Sequence, residues 1–184
     1  MLNIIRRFST GKTVLISLLI FVLFTALVLP WQARVAEERT GGGESPDTSF
    51  FYSSEDLYRI AEGYGEEGRQ AYIQARWTFD VIWPLVYFFF LVTGTSWFLT
   101  QIPSQKKFWN YTPVIPAAAA VFDFLENTAA SIVMAFYPQT IEIAADLAPL
   151  FSAGKWLLIS LAFFVYFLEL ILFTYHWFSK TGKN

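Results

Sequence analysis

Asp123, Glu126 and Asn127 sit inside the run VIPAAAAVFDFLENTAASIVMAFY (114–137), which otherwise reads as a membrane-spanning helix. A carboxylate near the middle of a bilayer costs roughly 2.5–3.5 kcal/mol on insertion scales, so a chain keeps one only where something offsets that cost. Helical spacing puts Asp123, Asn127 and Ser131 on one stripe running outward from mid-membrane, with Glu126 at its edge. Two acids this close in hydrocarbon need a shared proton, an Arg or a metal ion beside them. With one, they could hold a small ligand, relay a proton or cation, or act as general acid and base on a lipid. The bland reading stands beside these: a protonated acid and Asn127 can simply hydrogen-bond a neighbouring helix, a bond averaging about 0.6 kcal/mol.

Other polar groups fall in the neighbouring apolar runs. Arg76 and Asp80 are i, i+4 and can pair on a helix surface. With Arg69 and Tyr72 they form a strip leading inward, and Tyr87 follows on the same segment. The last apolar run offers Tyr166 and Glu169, the latter for packing, for snorkelling or for function. Past Thr13 at its start, the first run offers only Ser17 and Thr25 as polar side chains and is therefore expected at the periphery. The candidate ligand- or ion-binding set is Asp123, Glu126, Asn127, Ser131, Asp80, Arg76, Tyr87, Tyr166 and Glu169. No catalytic residue, metal set or cofactor is indicated. The chain lacks cysteine and has one histidine, which excludes thiolate chemistry and a multi-His metal site. That residue, His176, lies between Tyr175 and Trp177 and reads as interfacial. No Gly-rich phosphate loop, G-x-S-x-G or H-E-x-x-H occurs.

These groups need a bundle to hold them. Of 184 residues 55% are apolar and 20% aromatic, against about 45–50% apolar in soluble domains. Four runs, near 13–31, 77–100, 114–137 and 154–178, approach the ~20 residues that cross a 30 Å core. The first is too long for a signal h-region and lacks a small-x-small cleavage site, so a retained anchor is expected. Arg6, Arg7, Lys12, Lys106, Lys107, Lys180 and Lys183 fall on one side of these spans, with no acid among them. By the positive-inside rule that side is cytoplasmic and holds both termini. Trp31, Trp77, Trp83 and Trp156 then mark the outer boundary, and Trp97, Trp109, Tyr111 and Trp177 the inner one.

The outer loop 32–76 divides in two. Residues 34–49, with Gly41, Gly42 and Gly43, read as a flexible linker. Residues 53–64 read as a short amphipathic helix, with Ser53 and Asp56 as a capping pair and Leu57, Ile60, Ala61 and Tyr64 on one face. Gly63, Gly65 and Gly68 should break it, and from Arg69 a helix should run straight into the second span. The inner link 101–113 is short enough to make spans two and three antiparallel neighbours. The outer link 138–153 should hold one or two amphipathic turns before Pro149.

The pattern GYGEEGRQAYIQARWTFDVIWPLVY, followed by FDFLEN, resembles small four-span bacterial membrane proteins of uncharacterised activity, from about Tyr52 to the fourth span. The resemblance implies a topology and no chemistry. The expectation is thus one all-α domain, 1–184: a four-helix transmembrane bundle with a short extracytoplasmic amphipathic helix between spans one and two. It is placed in a bacterial inner membrane, multi-pass. The lead function is a non-catalytic accessory subunit or small-ligand binder. A small transporter or channel component using Asp123 and Glu126 as a relay is the first alternative, and a lipid-acting intramembrane enzyme the second. Expected partners are the bilayer and other membrane subunits or further copies of the chain. A net charge of −2 argues against nucleic acid.

Overall fold

The computed structural model describes residues 7–40, 45–46, 51–102 and 107–181. Arg6, the three consecutive glycines, Glu44, Asp47, Pro103, Lys106 and Lys183 lie outside these. The described residues are all helical apart from their links, and four helical stretches are long and apolar enough to cross a membrane. In chain order they are α1 (Gly11–Leu23) and α2 (Leu29–Thr40), α3 (Ser54–Arg76), α4 (Phe79–Gln101), α5 (Val114–Phe136) and α6 (Glu142–Thr181). A π-turn over Phe24–Val28 joins α1 to α2, and a 3₁₀ turn over Lys107–Tyr111 precedes α5.

The first stretch is longer than its apolar run. Residues expected in the linker from Arg34 onward continue the helix to Thr40, because Arg, Ala and Glu propagate a helix once it has started. It lies at the edge of the bundle, as its few polar residues imply. Leu15, Ile16 and Leu19 are exposed, and Ser17 Oγ meets Thr93 Oγ1 of α4 at 2.9 Å.

α3 starts where its cap was expected. The Ser53 hydroxyl accepts from the Asp56 N–H at 3.1 Å, and the Asp56 carboxylate accepts from the Ser53 N–H at 3.0 Å. Of its three glycines only Gly65 breaks the helix, at φ 62, ψ −176; Gly63 and Gly68 stay helical. The helix also stops at Arg76, and Trp77 and Thr78 form a corner before α4, so α3 does not run straight into the second span. Its apolar face packs on its own bundle: Leu57, Ile60, Ala61 and Tyr64 cluster with Ala129, Ala130, Val133 and Met134 of α5 and Ala144, Ala145 and Ala148 of α6. The Tyr58 hydroxyl accepts the Ile141 N–H at 2.7 Å, which ties this cap to the link between α5 and α6.

The Ser53 N–H first, then the Arg59 guanidinium and the Ser53 hydroxyl, hold the Asp56 carboxyl down from 3.8 to about 2. A carboxyl lowered by folding stabilises above its unfolded pKa, and that support is lost as pH falls through the folded value. Amide protection over residues 54–62 should therefore hold to about pH 4 and fall between pH 4 and 2. Hydrogen exchange on wild type and Asp56→Ala measures this. Equal protection of the two proteins at pH 6 would remove the cap from the account.

The link expected over 138–153, with a turn or two before Pro149, is helical from Glu142 onward, and α6 runs unbroken for 40 residues. Pro149 removes one backbone donor, but the turns on either side carry the helix past it. The link to α5 is correspondingly short, residues 137–141.

Candidate functional site

The short link 137–141 and the α3 cap fix the register of α5. Its C-terminal half, Ala129 to Met134, packs under α3. Asp123 and Glu126 are therefore level with the first turn of α4: the Asn127 amide points at the Asp80 carbonyl at 3.5 Å. Within the bundle the acids are thus level with one end of α4 and not with its middle. α4 continues inward from Asp80 to Gln101, about 31 Å at 1.5 Å per residue.

Five elements meet at this level. Lys155 of α6 reaches Glu126 Oε2 at 2.5 Å, with both side chains buried. The Tyr52 hydroxyl, from the segment before the cap, donates to Glu126 Oε1 at 3.2 Å. Burial first, and then the Glu126 charge, push the Tyr52 phenol up, which keeps it a donor. Asp123 Oδ2 accepts from the Tyr87 hydroxyl of α4 at 3.2 Å. Arg76, the last residue of α3, pairs with Asp80 at 2.8 Å and lies over the Tyr72 ring at 4.5 Å. Lys155 Nζ lies 5.2 Å from the Trp156 ring centre.

A cavity of about 760 Å³ opens onto this cluster. Arg76, Asp80, Asp123 and Lys155 line its charged side, and Leu29, Phe79, Trp83, Trp156 and Ile159 its apolar side. Glu126 is not among the lining residues. The π-turn of the first stretch ends beside this wall, with Phe24 stacked on Phe79 and Trp83 at 5.5 and 5.7 Å. Insertions of this kind are frequent at functional sites.

The structure thus divides the sequence-derived candidates. Asp123, Asp80 and Arg76 meet in the cavity wall, with Tyr87, Glu126 and Asn127 directly behind them. Ser131 is buried toward the cap and its hydroxyl finds no hydrogen bond among the described residues. Tyr166 and Glu169 belong elsewhere. Glu169 is fully buried and accepts from Thr112 at 2.9 Å, so it does not snorkel. Tyr87, Phe90, Leu91, Phe98, Ala119 and Ala120 pack between the two levels. Arg69 leaves the expected strip: it donates to the Ala61 carbonyl at 3.0 Å and covers the Tyr137 ring at 4.7 Å. Lys155 and Tyr52 were not among the candidates, and they are the two partners of Glu126.

Known proteins add nothing to this picture. No family model, no curated protein and no solved structure matches the chain.

Proposed function

We propose that this chain is a multi-pass protein of a bacterial inner membrane that binds a small ligand at the outer end of its bundle without transforming it. The observation that carries this reading is the cavity of about 760 Å³ whose wall contains Asp123, Arg76, Asp80 and Lys155. Packed bundles rarely keep such a volume; sites for small molecules are concave, mostly apolar and furnished with a few polar groups.

The orientation rests on charge. Lys12, Lys107 and Lys180 fall at one end of the helices, while Glu55, Asp56, Glu62, Glu66, Glu67 and Glu142 fall at the other. With the basic end in the cytoplasm, α3 is an extracytoplasmic cap. The 31 Å of α4 below Asp80 fill the hydrocarbon core, about 30 Å thick. The acids then lie at its outer edge, where charge is far cheaper than at its centre.

A proton or cation relay is less well supported. Aromatic residues and alanines dominate the packing between Asp123 and Glu169, and the buried polar groups that α4 adds there are the small hydroxyls of Thr93, Thr95 and Ser96. Acid–base catalysis on a lipid draws some support from the cavity reaching Asp123. However, Lys155 and Asp80 are already ion-paired, to Glu126 and Arg76, no His lines the wall among the described residues, and the hydroxyl of Ser45 in that wall bonds Tyr64.

Native mass spectrometry of the full chain extracted from membranes tests the binding reading. Wild type should carry a small-molecule adduct. Ala36→Trp, which fills the cavity from α2, should lose it while keeping its thermal stability. A wild type without adduct, or an adduct unchanged in Ala36→Trp, would overturn the reading.

A further inference from the structure

A second cavity, of about 390 Å³, lies directly inward of the first. Val14, Leu18, Phe21 and Val22 form one side, and Phe163, Phe167, Leu170 and Phe173 of α6 the other. Its floor is Phe90, Trp97 and Phe98 of α4, and its lining is almost entirely apolar. The same three helical stretches thus line both spaces. The wall of α6 continues from Lys155, Trp156 and Ile159 in the first to Phe163 and Phe173 in the second. Phe21, at the junction, stacks on Trp83 above at 5.9 Å and on Phe90 below at 4.6 Å. From Ile159 to Phe173 the crevice is about 21 Å long, more than half of a core about 30 Å thick, so it can take an alkyl chain of one leaflet.

The charged end selects the head. Asp80, Asp123 and Glu126 set three carboxylates against Arg76 and Lys155. Both cations are engaged, Arg76 by Asp80 and Lys155 by Glu126. Among the described residues Asp123 has one hydrogen bond, from the Tyr87 hydroxyl, and shares the Lys155 charge with Glu126, although it is only 5% exposed and lines the cavity. Glu37 and Arg39, also in the wall, cancel. Three carboxylates thus share two cations, and Asp123 is the one with no ion pair of its own among the described residues, with the rings of Trp83 and Trp156 in the same wall. An aromatic-lined acid is the chemistry that recognises ammonium groups. We propose that the ligand is an amphiphile with a cationic amine head, placed against Asp123, and an alkyl chain in the crevice between the first helical stretch and α6. This rests on the binding reading above and names its ligand class.

The test uses the full chain in maltoside micelles and three probes: dodecylamine, dodecanol and dodecyl sulfate. Affinities are read by native mass spectrometry. Dodecylamine should bind one copy roughly tenfold or more tighter than dodecanol, as expected for one charge-assisted contact, with dodecyl sulfate weakest. Asp123→Asn should bring dodecylamine down to the dodecanol level and leave dodecanol unchanged, which also shows that the variant is folded. Val22→Trp, in the apolar crevice, should weaken all three. Dodecyl sulfate binding as tightly as the amine, or Asp123→Asn leaving the amine unaffected, would overturn the amine assignment. If none of the three binds while the native adduct still disappears in Ala36→Trp, the amphiphile assignment fails and the binding reading survives. Phosphatidylethanolamine that displaces dodecylamine identifies the source as a lipid headgroup; failure to displace it identifies a free long-chain amine.

Discussion

Lys155→Met should cost about 3–5 kcal/mol of stability, the usual penalty for leaving one member of a buried ion pair without the other. Lys155 and Glu126 are both buried, at 5% and 2% exposure. Once the ammonium is gone, Glu126 keeps only the Tyr52 hydroxyl at 3.2 Å, and a single neutral donor does not replace a full charge. Glu126→Leu should be damaging for the mirror-image reason. The double variant Lys155→Met with Glu126→Leu should recover most of the loss, because an apolar pair of similar volume needs no solvation. Thermal unfolding of the four proteins in detergent closes the cycle. A Lys155→Met protein within about 1 kcal/mol of wild type would show the pair to be hydrated and weak, as exposed pairs are.

The same cycle separates the two acids of α5. Glu126 is held on both oxygens and is absent from the cavity wall, so it is placed to hold α6 and the segment before α3 together. Asp123 has one hydroxyl partner and lines the cavity. Asn at 123 still accepts from Tyr87, so Asp123→Asn should change binding far more than stability. The sequence singles out both residues but does not assign these different duties.

Much of the architecture was legible. Apolar runs long enough to span, Ser53 with Asp56 at the cap, and the shared face of Leu57, Ile60, Ala61 and Tyr64 are local patterns, and the chain obeys them. The register was not legible, because it depends on where helices end. The link was read over 138–153 with a turn or two before Pro149, which left Lys155 at the mouth of the fourth span. With the link confined to 137–141, antiparallel packing sets residues at comparable distances from it side by side, and Lys155 lies within about one helical turn of the level of Glu126. The level of the acids within the bundle was not legible for a related reason. Hydropathy cannot distinguish alanines and valines that face lipid from those under a cap, and Ala129, Ala130 and Val133 are under α3. The separation of Glu169 from Asp123 follows from the same shift, since Thr112, just before α5, is what reaches Glu169.

Gly94→Ala should be the most damaging single-methyl change in the bundle. A Cβ at Gly94 would lie 2.2 Å from Cε2 of Tyr166, and one at Gly154 would lie 2.4 Å from Cδ1 and Cε1 of Phe122. The distances are similar but the neighbours are not. Phe122 is only half-buried and meets Phe151 edge-on at 6.0 Å, so its ring can turn aside. Tyr166 is enclosed by Phe90 at 4.8 Å, Phe98 at 5.3 Å and Phe167 at 6.0 Å. Overpacking costs about 1–3 kcal/mol, and the better helix propensity of Ala returns up to about 1. Gly94→Ala should therefore lose about 2 kcal/mol, and Gly154→Ala should stay near zero. In a Tyr166→Ala background Gly94→Ala should become neutral or stabilising. Thermal unfolding of these variants decides it, and equal losses at the two glycines would reject the difference in confinement. Tyr166 also lines the apolar crevice. A methyl pressed against that ring also narrows the crevice it lines, so Gly94→Ala should weaken dodecanol binding together with stability, whereas Gly154→Ala, remote from the crevice, should leave it unchanged.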